Sequence, residues 1–92
     1  MKEYVVKPLN RFNIHKMEVI ESDEPVLALK KYLQEKGIPY EMIHRVTKEY
    51  IQDNFPDISP IDLCNKIEFE VSEHILGGSS FDNCSMYIID WF

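Results

Sequence analysis

Ninety-two residues carrying a formal net charge of −6, 45% hydrophobic and 28% charged side chains and only three glycines describe a single globular domain over residues 1–92, with no low-complexity tract or solenoid repeat. Roughly 65% of the unfolded surface is buried on folding at this size, enough for one core and not for two. Residues 1–48 hold nine Lys/Arg against seven Asp/Glu, whereas residues 49–92 hold Lys66 alone against nine acids, so the second half lacks the cations that displace phosphate counterions.

The chain begins with Lys2 to Pro8, made β-prone by Tyr4, Val5 and Val6 and closed by Pro8. Asn10 and Asn13 sustain a turn across Leu9 to Asn13. Ile14 to Glu21 then alternates as a returning antiparallel strand, with Met17 and Val19 on one side and Glu18 and Ile20 on the other.

From Ser22 to Pro39 the start, face and stop of a helix are all written in residues. Ser22 or Asp23 supplies the cap, and Pro25 fits the first turn because its missing N–H has no partner to lose there. Val26, Leu29 and Leu33, with Tyr32 beside them, form the apolar stripe opposite Lys31, Gln34 and Glu35. Gly37 provides a left-handed terminator and Pro39 forbids continuation.

Residues 40–54 predict a second helix with Ile43, Val46 and Tyr50 as its stripe, stopped by Phe55-Pro56. Ser59-Pro60-Ile61-Asp62 repeats the start signal. Beyond it the pattern supports two readings. Ile67, Phe69 and Val71 alternate with Glu68, Glu70 and Ser72 as in a strand, while Ile61, Cys64, Ile67, Val71 and Ile75 share one arc of a helix. The helix is preferred, because it uses the Ser59 cap and places Gly77 after its last turn, whereas a hairpin needs a long connection from His74 to Cys84. Gly77 to Asn83 is a loop by composition. Ser85 to Phe92 closes the chain as a strand apolar on both faces, with Tyr87, Ile89 and Trp91 opposed to Met86, Ile88 and Phe92, the mark of a central strand.

The expected fold is therefore α+β, in the order ββαααβ, with a three-stranded, mostly antiparallel sheet and helices on one face. The uncovered face is then an interface, or is shielded by loop residues such as Phe12 or Phe81. No apolar run exceeds the four residues of Met86 to Ile89, and Met1-Lys2-Glu3 opens no apolar leader, which predicts neither membrane attachment nor export, but a cytoplasmic protein with Cys64 and Cys84 as thiols.

No signature of a cofactor or metal appears. Cys64, His74 and Cys84 stand ten residues apart, too far for the paired ligands of a closed zinc site, and Cys64 falls on the predicted apolar stripe as a buried, inert thiol. Gly77-Gly78-Ser79-Ser80 lacks the lysine of a phosphate loop. His44, between Ile43 and Arg45 at the margin of the second helix, reads as a boundary or surface residue.

The acids carry the functional expectation. On the helical reading Asp62, Glu70 and Glu73 share one solvent face around Lys66, and Glu49, Asp53 and Asp57 lead into it. Carboxylates spaced i, i+3 or i+4 lie about 5–6 Å apart at Cβ, close enough to the rhythm of backbone phosphates to occupy an Arg/Lys groove. By analogy of size and charge with phage- and plasmid-borne inhibitors such as anti-CRISPR and anti-restriction proteins, and with nuclease immunity proteins, the expected function is a non-enzymatic block on a basic, nucleic-acid-handling protein, without direct nucleic-acid binding. The alternatives are a homo-oligomeric assembly module, such as a homodimer, or a small subunit of a phage or cellular complex, and a thiol- or metal-dependent enzyme.

Overall fold

The computed structural model describes residues 1–74 and 84–90. Among the described residues five strands, β1 (Lys2–Pro8), β2 (Glu18–Ser22), β3 (Met42–Arg45), β4 (Phe69–Glu73) and β5 (Cys84–Asp90), and three helices, α1 (Pro25–Lys36), α2 (Lys48–Asn54) and α3 (Pro60–Lys66), succeed one another as ββαβααββ, with a 3-10 turn at Asn10–Phe12. The strands form one sheet in the order β2-β1-β4-β5-β3, antiparallel at every junction. The α+β class is as expected. The three-stranded sheet and the order ββαααβ are not, because β3 and β4 occupy segments whose apolar spacing also suits a helix.

One face of the sheet builds the core. Alternation in β1 turns Tyr4 and Val6 inward, β2 adds Ile20, β4 adds Phe69 and Val71, and β5 adds Tyr87 and Ile89. Against them α1 lays Ala28, Leu29, Tyr32 and Leu33, all fully buried. Each buried leucine is worth about 2 kcal/mol of apolar transfer. Phe12 closes one end with its ring centroid 4.9 Å from that of Phe69, and Tyr32 meets Phe69 edge-on at 6.1 Å. Phe12 is only 4% exposed, so it belongs to this core and does not shield the uncovered face. Phe81, the other expected shield, lies outside the described residues.

Helix α1 stops as its sequence dictates. Gly37 adopts φ 66°, its amide bonds to Gln34, and the Ile38 amide bonds to Leu33 at 3.0 Å. Its start differs by one or two residues. Glu24 occupies the cap position without a side-chain cap bond, and Ser22 Oγ accepts the Glu24 amide at 3.4 Å.

Residues 40–54 divide between a strand and a helix. Met42–Arg45 pairs with β5, and the helix begins after Thr47, whose Oγ accepts the Tyr50 amide at 3.0 Å. Helix α3 starts at the expected Ser59 cap, whose Oγ accepts the Asp62 amide at 3.1 Å, but ends at Lys66. Past Lys66 the chain takes up the strand alternative. Phe69 and Val71 bury completely, and β4 finds β1 on one side and β5 on the other, so its backbone groups are satisfied by two ladders. Gly77 and the expected 77–83 loop, with Trp91 and Phe92, lie outside the described residues.

The helices do not share one face. Helix α1 covers the core side, whereas α2 and α3 contribute no buried residue. Alternation along β3 sets His44 on the side away from α1, and the Tyr50 ring of α2 stacks on it there. Elsewhere on that side Val19 is 53% and Met86 41% exposed. Among the described residues no helix is long and apolar enough to cross a membrane.

Candidate partner-binding surface

Residues 48–66 form a two-helix arm outside the core, and its attachment is specific. His44 Nε2 lies 2.8 Å from Asp90 Oδ2 on neighbouring strands. The Tyr50 ring stacks on the imidazole at 5.5 Å between centroids, Phe55 meets Tyr50 edge-on at 6.0 Å, and Lys66 Nζ stands 5.3 Å from the centre of the Phe55 ring. Burial and the nearby Asp90 charge raise the Tyr50 hydroxyl pKa above its ordinary value.

A second anchor comes from Asn10. It holds a left-handed backbone at φ 52°, and its side-chain amide donates to the carbonyls of Cys64, Asn65 and Ile67 at the end of α3. These are the carbonyls a helix leaves without internal partners. Beside it the buried Glu68 carboxylate pairs with Arg11 and accepts the Ile89 amide at 3.4 Å. Asn10, Arg11, Phe55, Asn65, Lys66 and Glu68 line a hollow of about 370 Å³. A larger hollow of about 670 Å³ opens on the arm itself, with Phe55, Pro56 and Ile58 as its apolar wall and Asp57, Asp62 and Lys66 around it.

The six carboxylates expected to form one surface divide four to two. Glu49 and Asp53 stand one turn apart on α2, Asp57 lies in the link and Asp62 in the first turn of α3, all four exposed. Asp62 accepts the Ser59 hydroxyl at 2.8 Å, and no ion pair reaches any of the four among the described residues. No lysine or arginine falls between Glu49 and Asn65.

Glu70 and Glu73 are elsewhere, because three residues along a strand lead to the opposite face. Glu70 registers with Lys7 and Met86 on the side away from α1 and accepts the Cys84 thiol at 2.9 Å. Glu73 registers with Tyr4 and pairs with Lys2 at 3.8 Å. The common helical face expected for Asp62, Glu70 and Glu73 does not form.

The thiols divide as well. Cys64 is exposed, not buried, since the short α3 turns it outward. Cys84 is half-buried, and burial together with its hydrogen bond to Glu70 pushes its pKa up to about 11, leaving it a weak nucleophile at neutral pH. Among the described residues no three His, Cys, Asp or Glu side chains are placed to hold a metal ion.

Sequence reading locates the acids but misses Phe55, Pro56 and Ile58 as a surface, because Phe55-Pro56 reads there only as a helix stop. No family model, curated protein or solved structure matches the chain.

Proposed function

We propose that this chain is a non-enzymatic binding protein that occupies a basic surface of a nucleic-acid-handling protein in the cytoplasm, with residues 48–66 as its docking element. One observation carries the reading. Among the described residues, Glu49, Asp53, Asp57 and Asp62 are exposed and free of ion pairs on an arm from which the core takes no buried side chain. Charge not used in an ion pair within the fold is available for steering and for pairing with arginine or lysine. The same charge repels phosphate, so nucleic acid itself is not the ligand. Anti-CRISPR, anti-restriction and nuclease immunity proteins are the classes whose surface chemistry this resembles, and Glu70 and Glu73 serve the sheet in this reading.

The test uses the heparin-binding fraction of a lysate, which selects proteins with basic grooves, passed over the immobilised chain. The wild type is expected to retain proteins that salt releases, and a Glu49→Lys, Asp53→Lys, Asp57→Lys, Asp62→Lys variant to lose them. Equal retention by both chains removes the arm from the account.

The exposure of Val19 and Met86 on the face away from α1 favours a second reading, self-association through the sheet. Light scattering decides it: a mass that rises with concentration supports assembly, and a monomer at high micromolar concentration ends it.

A further inference from the structure

We infer that the hollow against Phe55 is the seat of a single arginine side chain supplied by the partner. The inference rests on the docking role proposed for the arm and adds the chemistry of its central contact.

Three features of the hollow select that occupant. Its wall is apolar and aromatic, formed by Phe55, Pro56 and Ile58. A ring face in such a place attracts a cation through its quadrupole, and Lys66 Nζ already stands over the Phe55 ring at 5.3 Å. Asp57 and Asp62 border the same space, and Lys66 is the only cation among the described residues that line it, so one negative charge is left unmatched. An anion is repelled there, and an apolar side chain leaves the carboxylates without partners.

Arginine meets all three demands. Its planar guanidinium stacks on an aromatic face while its edge donates to carboxylates, and it gives up water more readily than an ammonium does. Asp57 makes no ion pair among the described residues, and Asp62 uses one oxygen to accept Ser59 Oγ, which leaves its other oxygen open to a donor. Lys66 is exposed at the end of α3, so it swings off the ring at small cost when a better cation arrives.

The probes are a glycine-flanked arginine pentapeptide and its lysine and citrulline counterparts, titrated into the ¹⁵N-labelled chain. Arginine is expected to shift the amides of Phe55, Asp57, Ile58, Asp62 and Lys66 together, lysine to bind several-fold more weakly, and citrulline, the same shape without charge, at least about tenfold more weakly. Phe55→Leu keeps apolar volume but removes the ring and weakens arginine by about fivefold, and Asp57→Asn with Asp62→Asn weakens it by about tenfold. Lys66→Ala removes the resident cation and tightens binding more than Lys48→Ala, which removes an equal charge outside the hollow. If Phe55→Leu disturbs the arm, the two Asp→Asn changes and Lys66→Ala decide alone.

Citrulline binding as well as arginine, shifts spread over carboxylates such as Glu21, Glu35 and Glu41, or no shift with arginine overturns the inference. Loss of capture by the four-lysine variant with no arginine shift overturns the arginine seat and leaves the docking arm standing. Arginine binding with unchanged capture retires the docking role and leaves the seat.

Discussion

The Asn10 anchor gives the most direct test of how the arm is held, because two substitutions separate its two roles. Its side-chain amide carries two protons shared among three carbonyls, those of Cys64, Asn65 and Ile67. Two bonds at a net contribution of about 0.5–1 kcal/mol each make Asn10→Gly cost about 1–2 kcal/mol, since glycine keeps the left-handed backbone at no steric cost. Asn10→Ala loses the same bonds and keeps a β-carbon at φ 52° without the short polar side chain that eases asparagine into that region, which adds about 1 kcal/mol relative to glycine. With a urea slope of about 1 kcal/mol per molar, the midpoint falls by about 1–2 M for glycine and by about 1 M more for alanine. Hydrogen exchange gives the local readout: amides of α3 should open faster in both variants while those of α1 track global stability. A glycine variant with the wild-type midpoint, or glycine and alanine variants of equal stability, refutes the assignment.

Single residues set four further outcomes. Gly37→Ala is expected to cost about 1 kcal/mol by thermal melting, all of it from φ 66°, because a β-carbon there meets no atom within 4 Å; a cost above about 3 kcal/mol means an unseen clash. The Cys84 thiol keeps its proton up to about 11 in the fold, against an ordinary 9.0, so its contribution to stability is complete below pH 9 and disappears as pH rises through 11. The raised hydroxyls of Tyr32, Tyr50 and Tyr87 act in the same direction above pH 10, and Cys84→Ala should flatten only the first part of the urea-midpoint profile. Alkylation at pH 8 should reach exposed Cys64 before Cys84, and the reverse order, read by peptide mass, contradicts the burial. Tyr50→Leu breaks the stack on His44 and is expected to raise exchange in α2 at least about threefold while the global midpoint moves by less than about 0.5 M urea.

Legibility in the sequence depends on whether a signal is local. Helix α1 is legible because Pro25, the Leu29 and Leu33 stripe and Gly37 lie within thirteen residues, and each acts on its own backbone. The two sides of β2 and β5 are legible from alternation, Val19 apart from Ile20 and Tyr87 and Ile89 apart from Met86 and Ile88, but which side of β5 meets the core is not, since both are apolar. β3 is not legible: four residues are too few to show a period of two, and Ile43, Val46 and Tyr50 fit a helical arc equally well. β4 fails for a related reason, since Ile67 and Val71 belong to both patterns and Phe69 only to the strand. The deciding contacts are the flanking ladders of β1 and β5, which no window around residue 69 contains. At the site, the acids are visible as composition, but their grouping depends on the helix-or-strand choice, and that choice sends Glu70 and Glu73 to opposite faces.

The acids of β4 and those of the arm stand under different constraints. Like charges on adjacent strands oppose each other directly and destabilise the pairing, and β4 avoids this where it carries acids: Glu70 registers with Lys7, and Glu73 pairs with Lys2. The arm has no such constraint. Its helices are seven residues each, too short to persist alone in water, and they hold their shape through Thr47, Ser59, the Tyr50 and Phe55 rings and Asn10. Those contacts leave the outward side of the arm free of structural duty, so Glu49, Asp53 and Asp57 can be exchanged for neutral residues at a stability change within about 0.5 kcal/mol. A partner surface evolves most freely where folding does not depend on it, and the separation makes binding and stability separately measurable: removing these acids should abolish capture by a basic partner while the urea midpoint stays where it is.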